Sequence, residues 1–353
     1  MKHNSLPKDC FKNGRLLILG NNLDVLKELK SIHSVTEKVK LVYIDPPFGT
    51  KQLFNITDHR VATISRANGG RIAYSDELFG NDYLEFLAER LGLIRDLMAD
   101  DGSIYVHIDT KMGHYVKCVM DDIFGQDHFI NDITRIKCNP KNFQRKGYGN
   151  IKDIILFYSK TDEYIWNNPR ESIDIELDPR FRSVDDKGRR YTTTPLHAPG
   201  ETLNGATGKP WRGMSPPAGR HWRYPPEVLE ELDRKGLIEW SSTGNPRKKL
   251  YADDIKKAGV KVQDVWKYKD PQNPKYPTEK NLEMLKMIIQ ASSNKGDIVM
   301  DAFCGSGATL IAAEALRRHY IGIDSSKDAM NLAKKKLSNY NFYTLTDKAL
   351  SLK

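Results

Sequence analysis

Short apolar runs and helix-period stretches alternate along most of the chain. Arg15–Gly20 (RLLILG) has the length and composition of a buried strand, and Leu23–Leu29 after it has helical spacing. Leu41–Ile44 is a second strand. Asn81–Ala99 sets Tyr83, Leu84, Phe86, Leu87, Leu91, Ile94 and Leu97 at a helical period, which Asp101-Gly102 should stop. Ser103–Ile108 (SIYVHI) then reads as a strand, Met112–Phe124 as a helix, and Phe129–Ile136 and Ile154–Tyr158 as strands. Further on, Glu279–Ala291 is helical, Ile298–Phe303 a strand, Thr309–Leu316 a helix, Tyr320–Ile323 a strand, and the last helix is Lys-rich. This alternation predicts an α/β fold, a mostly parallel sheet with helices on both faces.

The rhythm breaks over 162–274, a segment rich in Gly, Pro and Trp that reads as an insertion. Charge concentrates there too. Residues 180–275 hold 20 Lys/Arg against 12 Asp/Glu, which accounts for +8 of the net +9. Trp166, Trp211, Trp222, Trp240 and Trp266 lie in or just before the same segment. Arginines interleaved with aromatics suit phosphate contact and base stacking. Arg212, Arg220, Arg223, Arg247, Lys248 and Lys249 are therefore the candidate nucleic-acid contacts. Three parts are expected: 1–160, an inserted recognition region over 161–275, and 276–353. Cys10, Cys118, Cys138 and Cys304 have no CxxC spacing, so neither a disulfide framework nor a metal site is expected. The N-terminus has no apolar export segment and no run approaches a membrane span, so a soluble, cytoplasmic protein is expected.

Two motifs carry chemistry. The strand Leu41–Ile44 runs into Asp45-Pro46-Pro47-Phe48, which delivers a carboxylate, a stiff turn and a flat ring to one spot. Two successive prolines fix φ and donate no hydrogen bonds, so local carbonyls point outward. Such a turn suits the exocyclic amino group of a base, with acceptors for its N–H bonds and a ring to stack on. The second motif, Asp301-Ala302-Phe303-Cys304-Gly305-Ser306-Gly307, follows the strand at 298–300. Its glycines let a ligand approach the backbone. It is neither a dinucleotide fingerprint, since Leu310 stands where the third glycine would fall, nor a P-loop. Asp324, seventeen residues after Gly307 at the end of the next strand, is placed to take the two hydroxyls of a ribose. Together they suggest an adenosine-containing cofactor without a pyrophosphate.

Asp-Pro-Pro-Phe joined to Asp-x-Phe-x-Gly-x-Gly resembles the S-adenosylmethionine-dependent DNA amino-methyltransferases. The order, tetrapeptide first and glycine loop last with a basic insertion between, resembles their permuted β group, including type III modification subunits. Gly20-Asn21-Asn22-Leu23-Asp24, Ile72-Ala73-Tyr74-Ser75-Asp76, Asp100–Asp109 and Tyr276-Pro277-Thr278-Glu279-Lys280 extend the resemblance over most of the chain. Departures are Ala302 for the usual Pro, Glu279 for Gln, and Asn21 where many members have Asp.

The resemblance implies a permuted Rossmann-like methyltransferase fold with an inserted target-recognition domain. It implies S-adenosyl-L-methionine held by Asp301, Phe303, Gly305, Gly307, Asp324, Asn21 and Lys280. Duplex DNA is the implied partner, with a cognate restriction subunit and a second copy of the chain as further ones. In the implied mechanism the base is flipped out, Asp45 and the Pro46 carbonyl accept from its amino group, and Phe48 stacks on it. Transfer is then direct, without a covalent enzyme intermediate. Cys304 packs as a small apolar group. Asp-Pro-Pro-aromatic points to adenine N6; cytosine N4 is the alternative, alongside an RNA or protein-amide methyltransferase and a catalytically silent DNA-binding subunit. His107 and Asp109 end a strand on the ligand side of the sheet and are open to a pocket role or a structural one. Thr50–Gly80 is expected to close over the flipped base.

Overall fold

The computed structural model describes residues 2–3, 5–47, 53–56, 71–75, 80–140, 146–172, 178–271 and 279–345. Phe48, most of the connection from Thr50 to Gly80, and Tyr276-Pro277-Thr278 lie outside the described residues. The chain divides into two compact units, Met1–Pro169 with Gln263–Lys353, and Arg170–Val262.

The first unit is built on a ten-stranded sheet. Its strands are β1 (Lys2–His3), β2 (Arg15–Leu19), β3 (Val39–Ile44), β4 (Met98–Ile108), β5 (Phe129–Ile136), β6 (Lys152–Ser159), β7 (Val265–Trp266), β8 (Ile298–Asp301), β9 (His319–Asp324) and β10 (Asn341–Leu345). Their spatial order is β1-β10-β2-β9-β8-β3-β4-β6-β5-β7. Every neighbouring pair is parallel except β4–β6 and β5–β6, where β6 runs against both partners. Among the described residues six helices flank the sheet: α1 (Asn22–Leu29), α2 (Asn81–Leu97), α3 (Gly113–Phe124), α4 (Leu282–Ser292), α5 (Ala308–Ala315) and α6 (Lys327–Lys336). One continuous apolar cluster joins α1, α2 and α3 to a sheet face through Val25, Leu26, Leu87, Leu91, Ile94, Val116, Val42, Ile44, Ile104 and Met300. Among the described residues no helix is long and apolar enough to cross a membrane.

Several boundaries depart from the sequence reading. Asp101-Gly102 does not separate α2 from its strand: β4 begins at Met98 and carries the dipeptide as a bulge, with a register shift against β3 between Val39 and Leu41. A Cβ at Gly102 would lie 2.8 Å from the Ala99 carbonyl oxygen and 2.9 Å from that of Val39, so the bulge closes only around glycine. α4 starts at Leu282 because Asn281 caps it, its side chain accepting from the Glu283 and Met284 N–H groups. Glu279 and Lys280 therefore precede the helix that was expected to include them. β8 ends at Asp301, which leaves Phe303 in the turn.

The expected insertion is also shorter than read. Residues 161–169 and 263–275 do not belong to the second unit; Val265–Trp266 pairs with β5 in the main sheet. The second unit holds a four-stranded antiparallel sheet in the order Ser183–Val184, Arg190–Pro195, Pro246–Tyr251, Ile238–Trp240. Beside it are the ribbon of His197–Pro199 and Arg220–Trp222 and the helices Pro226–Arg234 and Ala252–Ala258. Its core is Leu196, Trp211, Trp222, Leu229 and Ile238.

Candidate active site

The order β9-β8-β3 contains the point where connections leave in opposite directions, and ligands collect at the carboxyl ends of strands beside such a point. Asp45 follows β3, Asp301 closes β8 and Asp324 closes β9, so three carboxylates stand at the ends of three adjacent strands.

Asp45 is held from one side. Its Oδ2 lies 2.9 Å from Lys280 Nζ. Its Oδ1 is buried and has no hydrogen-bond partner among the described residues, with His107 Nδ1 3.9 Å away. His107, fully buried at the end of β4, touches the Tyr43 hydroxyl through Nδ1 at 2.8 Å and Asp153 Oδ2 through Nε2 at 3.3 Å. Behind it, Lys137 Nζ donates to Asp153 Oδ1 at 2.6 Å, and Arg135 Nη1 lies 3.7 Å from Oδ2. Burial, with the charge of Lys280, lowers the His107 pKa and keeps the ring neutral. Burial opposes the Asp153 carboxylate, but the His107 hydrogen bond and the nearby cations outweigh it and hold the group well below the usual carboxylate range. Asp109 has a structural part: its Oδ1 accepts from the Lys111 and Met112 N–H groups and closes the turn into α3.

The turn after β8 is shaped by its own acids. Asp301 Oδ1 accepts from the Phe303 N–H at 3.0 Å, and Oδ2 accepts from the Thr309 hydroxyl at 2.6 Å. Burial pushes the Asp301 carboxyl up to about 7, with the charges of Asp45 and Asp324 adding to the push. Asp324 Oδ2 accepts from the Gly305 N–H at 2.8 Å and Oδ1 from Ser326 N–H at 2.7 Å, while burial raises its pKa. Gly305 and Gly307 have φ of 51° and 84°, and Gly307 caps α5. A Cβ at Gly307 would stand 3.0 Å from that of Ala333 in α6, so the turn is tight as well as left-handed.

Asn21 and Asn22 join this edge from the far side of β9. Asn21 caps α1 by accepting from Leu23 N–H, so its side chain has a structural task beside the cofactor contact expected of it. Asn22 Nδ2 donates to the Ala302 carbonyl at 3.0 Å and its Oδ1 accepts from Arg90 Nε at 2.6 Å. Arg90 is buried on α2, lies over the Phe86 ring at 3.5 Å, and is lowered to about 10 by burial. Phe86 in turn sits 6.2 Å from Phe303. The backbone of the motif turn is thus tied to α1 and α2.

A sequence profile described as DNA methylase, of the N6/N4 type, matches residues 39–335. The chain belongs to that family. Among curated members it is 46% identical over 309 residues to the type II methyltransferase M.EcaI of Enterobacter cloacae, covering 86% of this chain and 65% of that one. It is 27% identical over 361 residues to the type III restriction-modification enzyme StyLTI Mod subunit of Salmonella typhimurium, covering 90% and 52%. With the EcoP15I Mod subunit of Escherichia coli the figures are 24% over 358 residues, 83% and 55%. The chain spans about half to two thirds of the length of these relatives. The permuted Rossmann-like fold of this family follows here from the strand order itself.

The structure therefore brings Asp45, Pro46, Pro47, Lys280, Asp301, Phe303, Gly305, Gly307, Asp324 and Asn21 to one sheet edge; Phe48 lies outside the described residues. The basic candidates lie in the second unit and are not alike. Arg212 is engaged internally, its guanidinium bridging Glu230 at 2.6 Å and Asp233 at 2.6 Å, which distinguishes it from the other candidates. Lys248 donates to the Tyr224 hydroxyl, and Lys249 lies over the Tyr191 ring. Arg220, Arg223 and Arg247 bond only neutral groups among the described residues: His197, the Pro195 carbonyl, and the Thr193 hydroxyl and carbonyl. Burial and the charges of these three arginines lower the His197 pKa, so they converge on one spot. Three of the five tryptophans were misread, while Trp166 and Trp240 are exposed. Trp211 and Trp222 fill the core of the second unit and Trp266 is buried in the first, so none of the three offers a face for stacking.

Sequence reasoning missed Tyr43, Asp153, Arg135, Lys137 and Arg90. The signal for Arg90 was present, since it stands on the apolar stripe with Leu87, Leu91 and Ile94. Asp153 opens the otherwise apolar Ile154–Tyr158 and could have been asked what neutralises it.

Proposed function

We propose that the chain transfers a methyl group from S-adenosyl-L-methionine to an exocyclic amino group in duplex DNA, adenine N6 being the target. The observation that carries this reading is Asp45 Oδ1, a buried carboxylate oxygen without a partner among the described residues, just after β3 and next to the glycine turn of β8. Bare buried acceptors are costly and need a reason. An amino group presented by a flipped base supplies the missing donor.

The cofactor, when bound, supplies an electrophilic methyl group on a sulfonium. The residues present fit it: the left-handed glycine turn leaves backbone accessible, Asp324 stands where ribose hydroxyls would reach it, and three acids at one edge suit a ligand carrying positive charge. Asp45 accepts from the amino group and orients its nitrogen, Pro46 and Pro47 hold the turn stiff, and Lys280 fixes the carboxylate through Oδ2. Catalysis is then chiefly orientation and placed charge. Asp-Pro-Pro-Phe supports adenine over cytosine N4. In the second unit, Arg220, Arg223 and Arg247 are the proposed phosphate contacts and the unit the proposed recognition domain. A cognate restriction subunit, a homodimer and a cytoplasmic site of action complete the reading.

Incubation of unmethylated plasmid with labelled S-adenosyl-L-methionine, followed by nucleoside analysis, tests it. N6-methyladenine is expected from wild type and none from Asp45→Ala. N4-methylcytosine would overturn the choice of base, and equal labelling by both proteins would overturn the role of Asp45.

A further inference from the structure

The state of Asp45 Oδ1 raises a physical question, because an imidazole stands beside it. Histidine carrying a proton on Nδ1 would turn a donor toward this oxygen, 3.9 Å away, as well as toward the Tyr43 hydroxyl at 2.8 Å. The reason it does not lies behind the ring. Asp153 is an ionised acceptor tied to Lys137, so His107 Nε2 must carry the proton that points at it. A neutral ring with a proton on Nε2 has a lone pair on Nδ1, and the Tyr43 hydroxyl donates into that lone pair at 2.8 Å. Tyr43 is fully buried and its phenol is pushed well above its ordinary value, so it stays a donor.

We propose that Tyr43, His107 and Asp153 form a tautomer lock, in which His107 is a positioning residue that keeps every ring N–H turned away from Asp45 Oδ1 and so reserves that oxygen for the amino group of the target base. The proposal rests on the function proposed above and explains how the acceptor survives in a buried site. Among the described residues the charged groups around it include Asp45 after β3, Asp153 on β6, Arg135 and Lys137 on β5, and Lys280 ahead of α4, with Asp301 on β8 facing Tyr43. The opposite tautomer would set an N–H donor beside Oδ1, for which Tyr43 and Asp45 would compete, and so weaken that oxygen as an acceptor for the base.

Asp153→Asn reverses the lock. Lys137 requires an oxygen at 2.6 Å, so the new amide turns its NH2 toward His107 Nε2, and the ring proton must move to Nδ1. Nitrogen-15 spectra of histidine-labelled protein, assigned by the signal lost in His107→Gln, should show the Nε2–H tautomer in wild type and Nδ1–H in Asp153→Asn. The variant's kcat/KM for DNA should fall about 10- to 100-fold, the size of a lost hydrogen bond to a charged group. The Kd for S-adenosyl-L-methionine should not change. Tyr43→Phe, which leaves the Nδ1 lone pair in place, should lose only a few-fold. An Nδ1–H or cationic ring in wild type overturns the lock, and this spectrum needs no variant to be active. So does a switched tautomer in Asp153→Asn with undiminished kcat/KM. If Asp45→Ala methylates as well as wild type, the function proposed above fails instead.

Discussion

Replacing Asp301 by Asn should change how stability depends on pH. The Asp301 carboxyl is 2% exposed and titrates near 7, against an ordinary value of 3.8. Its folded pKa is raised, so between about pH 4 and pH 7 the unfolded chain gives up a proton that the folded chain keeps. Stability is therefore fully present below the unfolded value and lost as pH rises through 7. A shift of about 3 units at about 1.4 kcal/mol each makes the whole loss about 4 kcal/mol, of which about 2 to 3 kcal/mol falls between pH 5 and pH 8. Asparagine fits the same place: its oxygen can accept from the Phe303 N–H, and the Thr309 hydroxyl can turn to accept from its NH2. It has no proton to lose. Urea unfolding of both proteins at pH 5 and pH 8 measures the difference, since all other groups are shared. Asp301→Asn should gain about 2 to 3 kcal/mol on wild type between the two pH values. Parallel stability curves across that range would refute the account of Asp301 as a carboxyl destabilised by burial.

Gly307→Ala should cost about 1–2 kcal/mol of stability and weaken S-adenosyl-L-methionine binding, because the residue sits at φ 84° with Ala333 3.0 Å from the new Cβ; unchanged melting and cofactor titration would count against a tight turn. Arg220→Gln and Arg223→Gln should each reduce the salt slope of DNA binding by about one. Arg212→Gln should leave that slope alone and lower thermal stability, since it breaks the bridges to Glu230 and Asp233; a reduced slope would return Arg212 to the DNA.

The sheet strands and the motif turns were legible because periodicity and turn chemistry are local. Leu41–Ile44 and the run before Gly305 could be placed from their own residues. What escaped was set by partners far away in sequence. The early start of β4 depends on carbonyls of β3 that crowd Gly102, and no local pattern records them. Arg212 and Arg220 look alike in sequence; only folding shows that one meets Glu230 and Asp233 while the other meets His197. The tryptophans misled for a related reason. Aromatic residues among arginines serve equally as stacking faces or as the core of a small unit, and burial alone decides. At the site, Asp45 announced itself by its prolines, whereas Tyr43, His107 and Asp153 became a unit only when β3, β4 and β6 were laid side by side.

β3 and β8 lie side by side, yet Asp324, the last of the three acids at this edge, is made about 280 residues after Asp45. At roughly 5–20 residues per second, synthesis holds β3 without its β8 neighbour for about 15 to 50 seconds. During that time one edge of an apolar strand is open to wrong pairing. The same delay is a safeguard: an interrupted chain carries the Asp-Pro-Pro turn without the glycine turn, and a fragment of this kind has only one of the three acids that the finished sheet edge brings together.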